Sequence, residues 1–123
     1  MTDKAVTVIV VEDEPIVRMD IAMSLQDEGF NVLEASNADE AIALLNAHAE
    51  IRLMFTDIDM PGSMDGLKLA EAVRDRWPPV KIIIASGQRD LNDERLPVEG
   101  KFFSKPYDHG QVVLAIRQML VAS

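Results

Sequence analysis

Five polar residues lie at the ends of apolar runs: three carboxylates of the type that binds metals, a hydroxyl and an ammonium. Glu12 and Asp13 follow the run Ala5–Val11, Asp57 follows Ile51–Thr56, Ser86 follows Val80–Ala85, and Lys105 follows Lys101–Ser104. If these runs are parallel strands, their C-terminal ends open on one edge of a sheet, where open α/β sheets take their ligands. Carboxylates crowded there need a cation, because like charges oppose each other's ionisation. An oxygen-only acidic site suits Mg2+, with Mn2+ also admissible. Taken singly, Asp57 reads equally well as a loop acid or cap, Ser86 as an N-cap, and Lys105 as a solvated surface residue. Their joint placement favours a functional cleft.

The elements that must position them alternate regularly. Ala5–Val11 is β-branched and almost continuously apolar, as expected of a central parallel strand covered on both faces. Phe30–Ala35 alternates more and reads as an edge; Ile51–Thr56 and Val80–Ala85 are mostly apolar, and Lys101–Ser104 is short. Between the strands, Pro15 opens a first helix with Ile16, Met19 and Met23 on its apolar face and Gly29 as its stop. A second helix starts at Asn37 or Ala38, with Ile42 and Leu45 inward. A third carries Leu69, Ala70, Val73 and Trp77 and stops at Pro78–Pro79. A fifth carries Val112, Val113, Ile116, Met119 and Leu120. The fourth, Gln88–Leu96, has a thin apolar stripe and should be held loosely. Five β/α alternations predict a parallel sheet with right-handed crossovers. The order 2-1-3-4-5 agrees with the two less apolar strands lying at the edges.

At 123 residues the chain is expected to be one domain. It has no cysteine, which excludes disulfides, thiolate metal sites and cysteine nucleophiles. His48 and His109 lack ligand spacing and read as helix-surface residues. A net charge of -9, from 21 acidic and 12 basic residues, argues against direct nucleic-acid binding and against docking on anionic membranes. No apolar stretch reaches spanning length and no signal peptide is visible, so a cytoplasmic location is expected.

The acidic pair in Val-Val-Glu12-Asp13-Glu-Pro, Asp57 in Phe-Thr-Asp-Ile-Asp-Met-Pro, Asp65-Gly66, Ser86 and Lys105-Pro106 together resemble the receiver domain of two-component response regulators, especially the free-standing, chemotaxis-receiver-like kind. The resemblance runs from Val6 to Leu120. It implies a flavodoxin-like, doubly wound α/β fold: a five-stranded parallel sheet with five helices. Because nothing follows Ser123, a single receiver domain over residues 1–123 with no output domain is expected, whether free-standing, a phosphate shuttle or sink, or cut from a larger protein. By the same resemblance, Asp57 is the phosphoacceptor, taking its phosphoryl group from a phosphohistidine. Asp13, Asp57 and the backbone carbonyl of Asp59 hold Mg2+, with Glu12 acting through metal-bound water. Lys105 and Ser86 contact phosphoryl oxygens, and Gly87 leaves room for close backbone approach. Lys105-Pro106 is implied to be a cis bond. Ser86 and Phe102 are the implied switch, relaying phosphorylation to a surface of the fourth helix, fifth strand and fifth helix. Asp59 and Gln88 would border the path of the hydrolytic water. Implied partners are a sensor histidine kinase or histidine phosphotransfer protein and a downstream protein target, with the chain a monomer or a phosphorylation-linked homodimer.

The chain departs from the usual pattern at Glu12, where aspartate is commoner, and at Ser86, where threonine is. The stretch Met60–Gly66 is one residue longer than the common form, near Ser63. Two other functions compete. A phosphorylation-independent binding module would not need the full set of acids, hydroxyl and lysine. A haloacid dehalogenase-type phosphatase would place Asp57-Ile58-Asp59 on the first strand, where this chain has the pair Glu12-Asp13. A receiver is expected to modify only itself, without turnover of an external substrate. No Gly-x-x-x-x-Gly-Lys phosphate loop is present, and no Ser/Thr-rich loop for flavin phosphate follows the first strand.

Overall fold

The computed structural model of the chain describes residues 5–58, 65–86 and 101–121. Five strands form one parallel sheet: β1 (Thr7–Val11), β2 (Asn31–Ala35), β3 (Ile51–Asp57), β4 (Lys81–Ser86) and β5 (Lys101–Ser104), in the order β2-β1-β3-β4-β5. Four helices lie among the described residues: α1 (Pro15–Asp27), α2 (Ala38–Ala47), α3 (Gly66–Arg76) and α4 (His109–Val121). The helix expected over Gln88–Leu96 falls outside the described residues, so α4 corresponds to the expected fifth helix.

The sheet order follows from which strands can be covered twice. Every residue of β1 is buried, while β2 at the edge buries only Ala35 fully. One face of the sheet packs Ile9, Val11, Met54 and Ile84 against Ala41 and Leu45 of α2 and Leu69 and Val73 of α3. The other packs Val8, Val10, Phe55 and Ile83 against Ile21 and Leu25 of α1 and Val112 and Ile116 of α4. Each fully buried side chain of this size contributes roughly 1.5–3 kcal/mol of transfer free energy.

Three local features tune this frame. α2 begins with Asn37 as its cap, accepting the Glu40 N–H at 2.9 Å, while the Glu40 carboxylate accepts the Ser36 N–H at 2.7 Å. α3 begins with Asp65, which accepts the Lys68 N–H at 2.9 Å. β3 carries a bulge: Thr7 pairs with Ile51 but Val8 with Leu53, leaving Arg52 as an extra residue. Residues two apart on a regular strand share a face. Here Ile51 packs with the α2/α3 layer and Leu53 with the α1/α4 layer. The bulge therefore sets the phase in which Phe55, and two residues later Asp57, emerge toward α1 and α4.

The expected apolar face of α1 is corrected. Ile16 is 77% exposed, and Met19 and Met23 are also exposed; the buried residues are Ile21, Ala22 and Leu25. Apolar residues surround most of this helix, and the stripe that meets β1 and β2 is the one set by the short β1–α1 turn. Two strand ends also move: Asp57 and Ser86 are the last residues of β3 and β4, inside the ladder rather than just past it.

Candidate functional site

Parallel strands bring Glu12, Asp13, Asp57, Ser86 and Lys105 to one edge, as their spacing predicts. Glu12 is the first residue past β1, and its N–H donates to the Ala35 carbonyl at 3.0 Å, continuing the β1–β2 ladder. Asp57 closes β3 in register with Ala85, and the next N–H, that of Ile58, donates to the Ala85 carbonyl at 2.9 Å. Ser86 closes β4 opposite Ser104, and its carbonyl accepts the Lys105 N–H at 2.9 Å. Lys105 is thus tied to β4 at its backbone. The Lys105-Pro106 bond is cis, as expected.

Two of the three carboxylates are buried and Asp13 is half-buried. Glu12 and Asp57 expose 3% and 4% of their side chains, and Ser86 is buried beside them at the end of its strand. Ligand oxygens of Glu12, Asp13 and Asp57 all lie within 4.8 Å of one another. The Lys105 ammonium bridges two of these acids, 3.0 Å from Asp57 Oδ2 and 3.3 Å from Glu12 Oε1. One ammonium against three carboxylates leaves the cluster net negative.

The electrostatics follow from that imbalance. Burial first, and then the Asp57 charge, push the Glu12 carboxyl up to about 7, against the pull of the Glu14 N–H and of Lys105. The Glu14 N–H donates to Glu12 Oε2 at 3.1 Å. Burial alone would lower the Lys105 ammonium, but its bonds to Asp57 and Glu12 outweigh that and raise it. Tyr107 forms the adjoining wall, its ring edge-on to Phe55 at 5.3 Å; burial, reinforced by the Glu12 charge, pushes its hydroxyl up to about 12. Beside this wall a cleft of about 520 Å³ is lined by Ile16, Val17, Asp20, Lys105, Tyr107 and His109.

Phe102 is half-buried against the α2/α3-side core and pairs in register with Ile84. Asp59, Gly87, Gln88 and the insertion near Ser63 lie outside the described residues. The two histidines differ from one another. His48 pairs with Glu50 at the surface, whereas His109 Nδ1 lies 2.6 Å from Ser24 Oγ and links α4 to α1.

Sequence reasoning missed Gly66 as a supporting residue of the site. A Cβ at this position would overlap the carbonyl oxygen of Asp57 and the Cα of Ile58, and the Gly66 N–H donates to the Ile58 carbonyl at 2.9 Å. α3 therefore starts in direct backbone contact with the Asp57 segment, which only glycine allows. The Asp-Gly pair opening a helix was the available signal.

The chain belongs to the response regulator receiver domain family, whose profile matches residues 8–117. It is 35% identical over 118 residues to the sensor kinase CckA of Brucella abortus, covering 93% of this chain and 12% of that protein. It is 35% identical over 126 residues to the hydrogenase transcriptional regulatory protein HoxA of Cupriavidus necator, covering 99% of this chain and 26% of that one. The chain thus spans about a quarter or less of these curated relatives. A crystal structure of a response regulator receiver protein from Sinorhizobium medicae superposes with a TM-score of 0.89 at 32% identity, covering 97% of both chains. No helix among the described residues is long and apolar enough to cross a membrane.

Proposed function

We propose that this receiver takes a phosphoryl group on Asp57 from a phosphohistidine, carried by a sensor histidine kinase or a histidine phosphotransfer protein, with Mg2+ held by Glu12, Asp13 and Asp57. The observation that carries the proposal is the buried cluster itself: three carboxylates within 4.8 Å, bridged by a single ammonium. The all-oxygen donor set and its net negative charge fit a hard divalent cation. Bound there, Mg2+ would neutralise charge on the carboxylates and on the incoming phosphoryl oxygens.

The chain's own residues supply the rest. An Asp57 carboxylate oxygen attacks phosphorus; the P–O bond forms as the P–N bond breaks, and the imidazole leaves as the neutral donor once protonated. Lys105, already 3.0 Å from Asp57 Oδ2, is placed to pair with a phosphoryl oxygen after transfer. Ser86, at the end of the neighbouring strand, donates its hydroxyl hydrogen to another. The roles that the family resemblance implies for Asp59, Gly87 and Gln88 belong to the same proposal, and all three residues lie outside the described residues. Turnover of an external phosphate ester forms no part of this activity.

Signal output rests on the same geometry. Ser86 moving to the phosphoryl group vacates space beside β4, and Phe102, already half-buried against Ile84, turns into it. The surface of β5 and α4 then changes for a protein target, or for a second copy of the chain; the fourth helix expected to share that surface lies outside the described residues. A cytoplasmic receiver acting through protein partners completes the reading.

The test is intact mass after incubation with Mg2+ and acetyl phosphate, beside Asp57→Ala. One added phosphoryl group, absent in the variant, is the expected outcome. Failure of the wild type to take it up both from acetyl phosphate and from phosphorylated histidine proteins overturns the proposal.

A further inference from the structure

Two adjacent acids in the turn after β1 repel each other and Asp57, so the turn needs an external hold to present them together. Glu12 is held at both ends of its backbone. Its N–H donates to the Ala35 carbonyl at 3.0 Å, and its carbonyl accepts from Arg18 Nη1 at 2.9 Å. The same guanidinium donates through Nε to Glu34 Oε1 at 3.2 Å. Glu34 and Ala35 are neighbours at the end of β2, so the turn is tied to that edge strand twice, once directly and once through Arg18. Arg18 also donates its own N–H to the Glu14 carbonyl at 2.9 Å, joining both sides of the turn. Its side chain is 19% exposed, and the fixed planar fork of its guanidinium holds the Glu12 carbonyl through Nη1 and Glu34 through Nε in one geometry.

We infer that Arg18 is a positioning residue for the cation site: it clamps the Glu12 carbonyl to Glu34 of β2 and so presents the Glu12 and Asp13 carboxylates to Asp57 before a metal arrives. The inference rests on the Mg2+ reading above. A preorganised site binds more tightly because less ordering is left to do on binding. As a bare charge, Arg18 opposes a nearby dication. Losing the charge and losing the clamp therefore shift Mg2+ affinity in opposite directions, and lysine separates them, since it keeps the charge and lacks the fork.

The experiment measures Mg2+ binding by isothermal titration calorimetry for the wild type, Arg18→Lys and Glu34→Gln. Amide hydrogen exchange in the metal-free proteins runs alongside. Arg18→Lys is expected to weaken Mg2+ about tenfold, in the range of outer supports of metal ligands, and Glu34→Gln about threefold. The Glu14 amide, which donates to Glu12 Oε2, should exchange faster in both variants, while the amides of Ile9 and Val10 in β1 stay as protected as in the wild type. Phosphoryl uptake at saturating Mg2+ should return to within about twofold of wild type, because the clamp acts on binding and not on the transfer step. Unchanged or tighter Mg2+ binding in Arg18→Lys overturns the inference, as does a loss matched by faster exchange throughout β1. A wild type that binds no Mg2+ overturns the cation site itself, and the clamp's role in it with that. A wild type that binds, with variants that match it, overturns the clamp alone.

Discussion

If Glu12, Asp13 and Asp57 hold Mg2+ as proposed, Glu12 should make that binding pH-dependent near neutrality. Its carboxyl is pushed up to about 7 by burial and by the Asp57 charge, so in the metal-free site a proton competes for it around pH 7. Mg2+ binding needs the carboxylate. A single group with that pKa is about one-tenth ionised at pH 6 and about nine-tenths ionised at pH 8, so apparent Mg2+ affinity should rise about tenfold between them. Near pH 7 each Mg2+ bound should release about half a proton. Calorimetry at pH 6, 7 and 8, in buffers of different ionisation enthalpy, measures both quantities. Glu12→Gln should bind Mg2+ more weakly at pH 8 and lose the dependence. The same shift sets the stability of the metal-free protein. A carboxyl raised from 4.5 to about 7 on folding binds more protons in the native state between those values, so stability falls as pH rises through that window. Added Mg2+ should reverse that fall above pH 7. A Mg2+ affinity flat from pH 6 to pH 8 in the wild type would refute the reasoning.

Gly66→Ala should destabilise the fold by about 2 kcal/mol or more in chemical denaturation, because its methyl group meets the Asp57 backbone, and should slow phosphoryl uptake. Ile21→Ala should cost about 3 kcal/mol, whereas Ile16→Ala should stay within about 0.5 kcal/mol, which checks the face on which α1 is buried. Lys105→Ala leaves Glu12 and Asp57 without their shared ammonium; the metal-free protein should lose about 1–2 kcal/mol, discounted for the partial exposure of the lysine, and phosphoryl uptake should slow sharply even at saturating Mg2+. Phe102→Ala should make partner affinity depend less on phosphorylation, measured by comparing the phosphorylated and unphosphorylated forms against one target.

Much of the frame was legible because burial on two faces leaves a plain mark. Val8–Val11 and Ile82–Ala85 are apolar without interruption, as expected of a covered parallel strand, and they occupy the interior of the sheet. The alternation in Asn31–Ala35 marked an edge for the same reason. α1 was misread because Ile16, Met19 and Met23 and the true inner set Ile21, Ala22 and Leu25 both satisfy a helical period. Local periodicity cannot choose between two apolar stripes. The choice belongs to the turn that aims the helix at the sheet.

The residue types of the site and their strand ends were set by the chain alone. Glu12, Asp13, Asp57, Ser86 and Lys105 each end a run whose neighbours had to be strands, and parallel strands bring such ends to one edge. What the edge does with them needed three dimensions. The bulge at Arg52 sets the face on which Asp57 emerges, the absent side chain of Gly66 lets α3 rest on the Asp57 backbone, and Arg18 reaches from α1 to both Glu12 and Glu34. The raised Glu12 carboxyl depends on burial and on the Asp57 charge from β3, against the pull of the lysine after β5. Distances between elements remote in sequence govern these effects, and such distances exist only once the sheet has closed its register.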